Sequence, residues 1–212
     1  KFMCWLDYTN IRLYVDKLRL IVVMPQCGRS FYLNTAGGQC MEDFISRDLF
    51  TFIDAQYTTL GTRESRALGG ISMGGYGALM LALRHRDVWS MAFSHGGAVG
   101  APQWIQDAPH VPVFGDFGSD IRHEYDVFNL INKGGEPFPQ LHFDCGIDDF
   151  LLDENRALHY ALQDLAIDHV YRERPGGHTW NYCDDNLQAA IMLVCRHLDG
   201  DCDPELEPRS IF

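Results

Sequence analysis

The chain has 212 residues, 46% hydrophobic and 22% charged, enough for one domain with a sizeable core and too few for two ordinary ones. Lys plus Arg number 17 against 29 Asp plus Glu, a net charge of -12; such a surface repels phosphate backbones and anionic lipid and argues against nucleic acid and membrane partners. No apolar run is long enough to span a bilayer.

The predicted elements alternate along the chain. Leu20-Ile21-Val22-Val23-Met24, closed by Pro25, reads as a buried parallel strand. Residues 27–38 are rich in Gly, Ser and Asn and read as loop. Met41 to Tyr57 places Phe44, Ile45, Leu49, Phe52 and Ile53 at helical spacing. A second strand is expected over Arg66–Ile71, an apolar helix over Met73–Arg86 and a third strand over Val88–Ser94. Residues 98–125 hold Pro102, Pro109, Pro112, Trp104, Phe114 and Phe117. They read as an irregular insertion over the active site, with one short helix. A fourth strand is expected at Leu141–Cys145 and a helix at Asp153–Leu165, capped by Asp153. A fifth strand at His169–Glu173 and a last helix at Trp180–His197 follow. Residues 1–198 form a single domain, and 199–212 a loosely ordered tail.

Strands alternating with helices imply an α/β fold, a mostly parallel sheet with helices on both faces. Ligands bind such sheets beyond the carboxyl ends of the strands. Chemistry-bearing residues are therefore sought just after strands.

Gly70-Ile71-Ser72-Met73-Gly74 follows a predicted strand and opens a helix. That context converts a common Gly-x-Ser-x-Gly pattern into a nucleophile elbow. Gly70 and Gly74 relieve crowding at the turn, and Gly75 and Gly77 let the helix approach the sheet. Met73, next in sequence, offers its N–H to a developing oxyanion. Serine needs a base. Of nine histidines, His178 sits in Pro175-Gly176-Gly177-His178-Thr179-Trp180, between the fifth strand and the last helix. His95, after the third strand, is the rival base and otherwise lines the pocket. The orienting acid belongs after the fourth strand, where Gly146-Ile147-Asp148-Asp149-Phe150 supplies two carboxylates. Asp149 is chosen, with Asp148 solvated or capping. No metal-ligand pattern is present.

These residues, with Ile21-Val22-Val23-Met24-Pro25 and the following Gly28-Arg29-Ser30-Phe31-Tyr32, resemble the esterase D family of α/β-hydrolases. The likeness runs from about Trp5 to about Leu198. It implies a Ser72-His178-Asp149 triad, Met73 N–H at one oxyanion position, and hydrolysis of carboxylic esters without metal or organic cofactor. The substrate class is short acyl or aryl esters, including acetylated or feruloylated sugars. Phe31, Tyr32, His95, Trp104 and Trp180 are the candidate substrate-binding residues. S-formylglutathione-type thioesterase, acyltransferase and catalytically impaired homologue are the alternatives.

Members of the family usually begin with further strands and a loop carrying the second oxyanion N–H. Against that pattern the chain reads as N-terminally shortened, with sheet edge left uncovered and homo-oligomers as one consequence. The seven cysteines show no C-x-x-C pair and read as mostly free thiols, with one bridge, involving Cys202, left open. A reducing, cytoplasmic compartment is the expectation.

Overall fold

The computed structural model describes residues 3–35, 40–105 and 111–199. Strands β1 (Ala67–Ile71), β2 (Met91–His95), β3 (Gln140–Gly146) and β4 (His169–Arg174) form one sheet in the order β1-β2-β3-β4. Every pairing is parallel. A parallel ladder needs a crossover between successive strands. Helix α5 (Met73–Arg84) connects β1 to β2, and α10 (Leu152–Asp164) connects β3 to β4.

Short helices precede the sheet: α1 (Cys4–Tyr8), α2 (Ile11–Val15), α3 (Met41–Asp43) and α4 (Phe50–Gln56). The expected helix over 41–57 is present, but Phe44–Leu49 winds as a π-helix between α3 and α4. Between β2 and β3 lie α6 (Ala101–Trp104), α7 (Val111–Phe114), α8 (Asp120–Glu124) and α9 (Val127–Asn132). The segment expected to be irregular thus holds several helical turns; residues 106–110 lie outside the described residues. Helix α11 (Trp180–Asp199) ends the described chain, so Asp199, expected to open the tail, is the last residue of the helix, and the rest of that tail lies outside the described residues.

Helix α5 is buried on nearly every side, Tyr76 through Leu83 without interruption, because it is held between the sheet and α9. With α10 it builds the main core, where Leu79, Leu141, Phe143, Leu158 and Leu162 meet. Helix α11 covers the other face. Leu187 and Ile191 pack there on Ile11 of α2 and on Phe93 of β2. Both sheet faces are therefore covered, as expected.

The structure corrects three boundaries. Leu20–Met24 is not a strand. Among the described residues no backbone hydrogen bond ties it to a neighbour, and Ile21, Val22 and Val23 are exposed. An apolar run becomes a strand only where another strand pairs with it. Here a cleft of about 960 Å³ separates it from the free edge of β1, and both segments line that cleft. The strand expected from Val88 starts at Met91, because Val88 and Trp89 still close a turn onto the His85 carbonyl. Asp153 does not cap α10. The cap position is Leu151, and Asp153 sits in the first turn, where a negative charge faces the positive helix end.

Candidate active site

Ser72 stands between the last residue of β1 and the first residue of α5. Its backbone is left-handed, φ 57° and ψ −119°, a strained conformation for a residue with a Cβ. Three backbone hydrogen bonds hold it there. Its N–H donates to the His95 carbonyl at 3.0 Å, and its own carbonyl accepts from Ala98 N at 3.1 Å and Tyr76 N at 3.0 Å. The turn closes only because Gly70 lacks a side chain: a Cβ there would lie 2.2 Å from the Gly74 carbonyl carbon. Gly75 permits the approach to β2, since a Cβ would reach Ser94 Oγ at 2.3 Å. Gly77 differs from its expected role. Its open face is filled by the Tyr32 ring, not by the sheet. Met73 opens α5, so its N–H has no partner within the helix.

The expected acid and base, Asp149 and His178, follow the ends of β3 and β4. Asp149 Oδ2 accepts from His178 Nδ1 at 2.8 Å. Its other oxygen accepts from Leu151 N at 2.9 Å, so both oxygens of this buried carboxylate are occupied. With Nδ1 donating, the remaining nitrogen, Nε2, is the acceptor. The His178 ring is half-buried and packs 4.8 Å from the Phe150 ring. Asp148 takes a different part. It is exposed, and its backbone N–H donates to the Gly176 carbonyl at 2.9 Å, tying the acid loop to the histidine loop. Gly96, one residue past β2, joins the groups. It adjoins His95, which holds Ser72 N, and a Cβ on it would lie 2.6 Å from Asp149 Oδ2 and 3.4 Å from His178 Nδ1. The Ser72 hydroxyl and His178 are not hydrogen-bonded to each other in this structure, and such contacts often tighten only with substrate in place.

The other expected site residues separate into two groups. Tyr32 and Trp180 line the cleft together with Ser72 and Met73. Burial pushes the Tyr32 phenol up to about 12, so it is a hydrogen-bond donor at neutral pH. Trp180 is sandwiched by Tyr8, stacked at 5.5 Å, and Trp5, edge-on at 5.5 Å. These two partners belong to α1, which carried no sequence signal. Phe31, His95 and Trp104 do not line that cleft. Phe31 is a core residue, packed on Tyr76 and Phe114. His95 is 1% exposed and turns into the space between sheet and α11, where Nδ1 meets Asp144 Oδ2 at 2.8 Å. Trp104 lies on the surface and donates to Glu154 at 2.8 Å. Phe114, in the insertion expected over the active site, is fully buried, and Phe117 lies outside on the Arg122 guanidinium. Among the described residues no group of three or more His, Cys, Asp or Glu side chains is placed to hold a metal ion. No described helix is long and apolar enough to cross a membrane.

The fold and sequence match known esterases. Residues 4–193 fit the family model for esterases. The chain is 31% identical to an acetyl esterase of Caldicellulosiruptor saccharolyticus over 93% of its own length and 80% of that protein. It superposes on FphF, a fluorophosphonate-binding serine hydrolase of Staphylococcus aureus, with a TM-score of 0.83 and 25% identity, over 91% of this chain and 78% of that one. The S-formylglutathione hydrolase FrmB of the same organism gives a TM-score of 0.81 at 25% identity, with the same coverage. A strained serine between strand and helix, in a parallel α/β fold with these relatives, places the chain in the esterase family of α/β-hydrolases.

Proposed function

We propose that Ser72, His178 and Asp149 carry out the ester hydrolysis of this carboxylic ester hydrolase. His178 Nε2 takes the Ser72 proton as Oγ attacks the ester carbonyl carbon. The tetrahedral oxyanion rests on the Met73 N–H. His178 then gives the proton to the leaving alcohol, and the C–O bond breaks to leave an acyl-serine. Water, losing its proton to His178, attacks that ester and releases the acid and free Ser72. Asp149 holds the imidazole in the tautomer that exposes Nε2 and stabilises the imidazolium as it forms.

The observation that carries this reading is the meeting of three strand ends. The strained Ser72 follows β1, while the turns after β3 and β4 bring Asp149 and His178 to 2.8 Å of each other. Short acyl or aryl esters are the substrate class, acetylated or feruloylated sugars among them; the acetyl esterase relative supports this. The test is the Ser72→Ala protein with p-nitrophenyl acetate. Its hydrolysis falls to the uncatalysed rate if the reading holds, and a rate equal to that of the parent refutes it. Likeness to FrmB favours a second reading, thioester cleavage by the same residues. Relative kcat/KM on S-formylglutathione and p-nitrophenyl acetate separates the two. A small-molecule ester is the partner in either case, and the acidic charge of -12 supports no nucleic acid partner. The cytoplasmic reading rests on free thiols at Cys4, Cys27, Cys40, Cys145 and Cys183. Cys195, by contrast, is disulfide-bonded, and Cys202 lies outside the described residues.

A further inference from the structure

Next to the His178–Asp149 pair the fold holds a second histidine–aspartate pair that faces away from the cleft. His95 Nδ1 meets Asp144 Oδ2 at 2.8 Å. The other Asp144 oxygen accepts from the Tyr182 hydroxyl at 2.6 Å. His95 and Tyr182 are 1% and 4% exposed. Among the described residues the second ring nitrogen of His95, Nε2, is buried without a hydrogen-bond partner, and Asp144 is the residue that restrains the ring by a hydrogen bond.

Asp144 reaches three elements that carry the active site. Its side chain holds the last residue of β2, His95, whose carbonyl fixes Ser72 N. Its backbone carbonyl accepts from Gly96 N at 2.8 Å, and Gly96 lies against Asp149 and His178. Through Tyr182 it holds the first turn of α11, directly after the loop that presents His178. The Tyr182 ring is the floor of that loop. Gly176 above it has φ +119°, and a Cβ there would meet Tyr182 Cδ2 at 3.0 Å. The Asp144 carboxylate is partly buried, withdrawing a carboxylate from water is costly unless its oxygens are satisfied, and here the satisfying groups are the ones that connect the elements bearing the nucleophile and the base.

We propose that Asp144, through His95 and Tyr182, is a positioning residue that sets the histidine loop against the nucleophile turn. It touches neither substrate nor reacting atoms. The inference rests on the triad reading above. Removing one arm of the clamp lets the loop shift by a fraction of an ångström, and a misplacement of about 1 Å costs up to about 100-fold in rate.

The variant Tyr182→Phe removes one hydroxyl and keeps the ring beneath Gly176. With p-nitrophenyl acetate, kcat falls about tenfold with KM unchanged. The low-field proton NMR resonance of the His178–Asp149 hydrogen bond shifts or broadens. A kcat within twofold of the parent overturns the proposal. So does a lowered Tm with full kcat per folded molecule and an unmoved resonance, which marks a purely structural bond. Should Tyr182→Phe not fold, Asp144→Asn, which keeps the side-chain shape, is read by the same criteria. Ser72→Ala is measured alongside. An inactive Ser72→Ala protein with a fully active clamp variant rejects the clamp alone, whereas an active Ser72→Ala protein rejects the triad.

Discussion

Gly96 lies directly against the carboxylate of Asp149: a Cβ on Gly96 would fall 2.6 Å from Oδ2, the oxygen that accepts from His178. Gly96 also has φ +48°, in the left-handed region that side chains disfavour. Gly96→Ala is expected to displace the acid and to lower kcat by about 100-fold, with KM nearly unchanged. Steady-state kinetics on p-nitrophenyl acetate, corrected for the folded fraction by circular dichroism, checks this.

A buried network away from the cleft is expected to contribute to acid stability. Glu42 accepts from Arg84 Nε at 2.6 Å, from His85 Nε2 at 2.8 Å and from the Tyr125 hydroxyl. Burial pushes its pKa up, but the hydrogen bonds from His85, Arg84 and Tyr125 outweigh that and bring it to about 2, below the ordinary 4.5. The folded value lies below the unfolded one, so the contribution is fully present above pH 4.5 and is lost as pH falls toward 2. Urea unfolding between pH 6 and pH 2 should show that decline. Glu42→Gln should flatten it and lower stability by about 3–5 kcal/mol at neutral pH, because a buried pair loses one partner.

The aromatic residues between β2 and β3 differ in what they do. Phe114 is completely buried against Phe31 and Tyr76. Phe114→Ala should cost about 3–5 kcal/mol by leaving a cavity, visible as a lower denaturation midpoint. Trp104 is 47% exposed, and Trp104→Ala should change stability by no more than about 1 kcal/mol. Equal destabilisation of the two proteins would contradict the placement of Phe114 in the core and Trp104 at the surface.

The free edge of β1 faces the exposed run of Ile21, Val22 and Val23 across the apolar cleft. Unpaired edges and apolar patches promote association. Multi-angle light scattering should show mass rising with concentration, and Val22→Lys should reduce that rise. A strictly monomeric protein at all concentrations would contradict this expectation.

Most of the fold was legible because its signals are local. Tyr76 to Leu83 is apolar without a break and became the buried helix α5. Gly-x-Ser-x-Gly marked a strand-to-helix turn, and Gly176-Gly177 marked the loop bearing His178. What failed depended on distant partners. Leu20–Met24 has the composition of a strand, but composition does not reveal whether another strand stands beside it. His95 follows a strand as a catalytic histidine would, yet alternation along β2 turns its ring to the α11 face, where Asp144 takes it. Phe31 and Tyr32 are adjacent in a turn where both have positive φ, 49° and 65°, so one is core and the other lines the cleft. The α1 aromatics around Trp180 were missed because a five-residue helix leaves no periodicity to read.

The role of Ser72 is tested most directly by trapping the acyl-enzyme. The protein is mixed with p-nitrophenyl acetate, quenched in acid within a turnover, and digested for peptide mass spectrometry. The account predicts one acetyl group on the peptide containing Ser72, absent from Ser72→Ala and accumulating more slowly in His178→Ala. Acetyl on a different residue, or turnover with Ser72 unmodified and the Ser72→Ala protein still active, would contradict it.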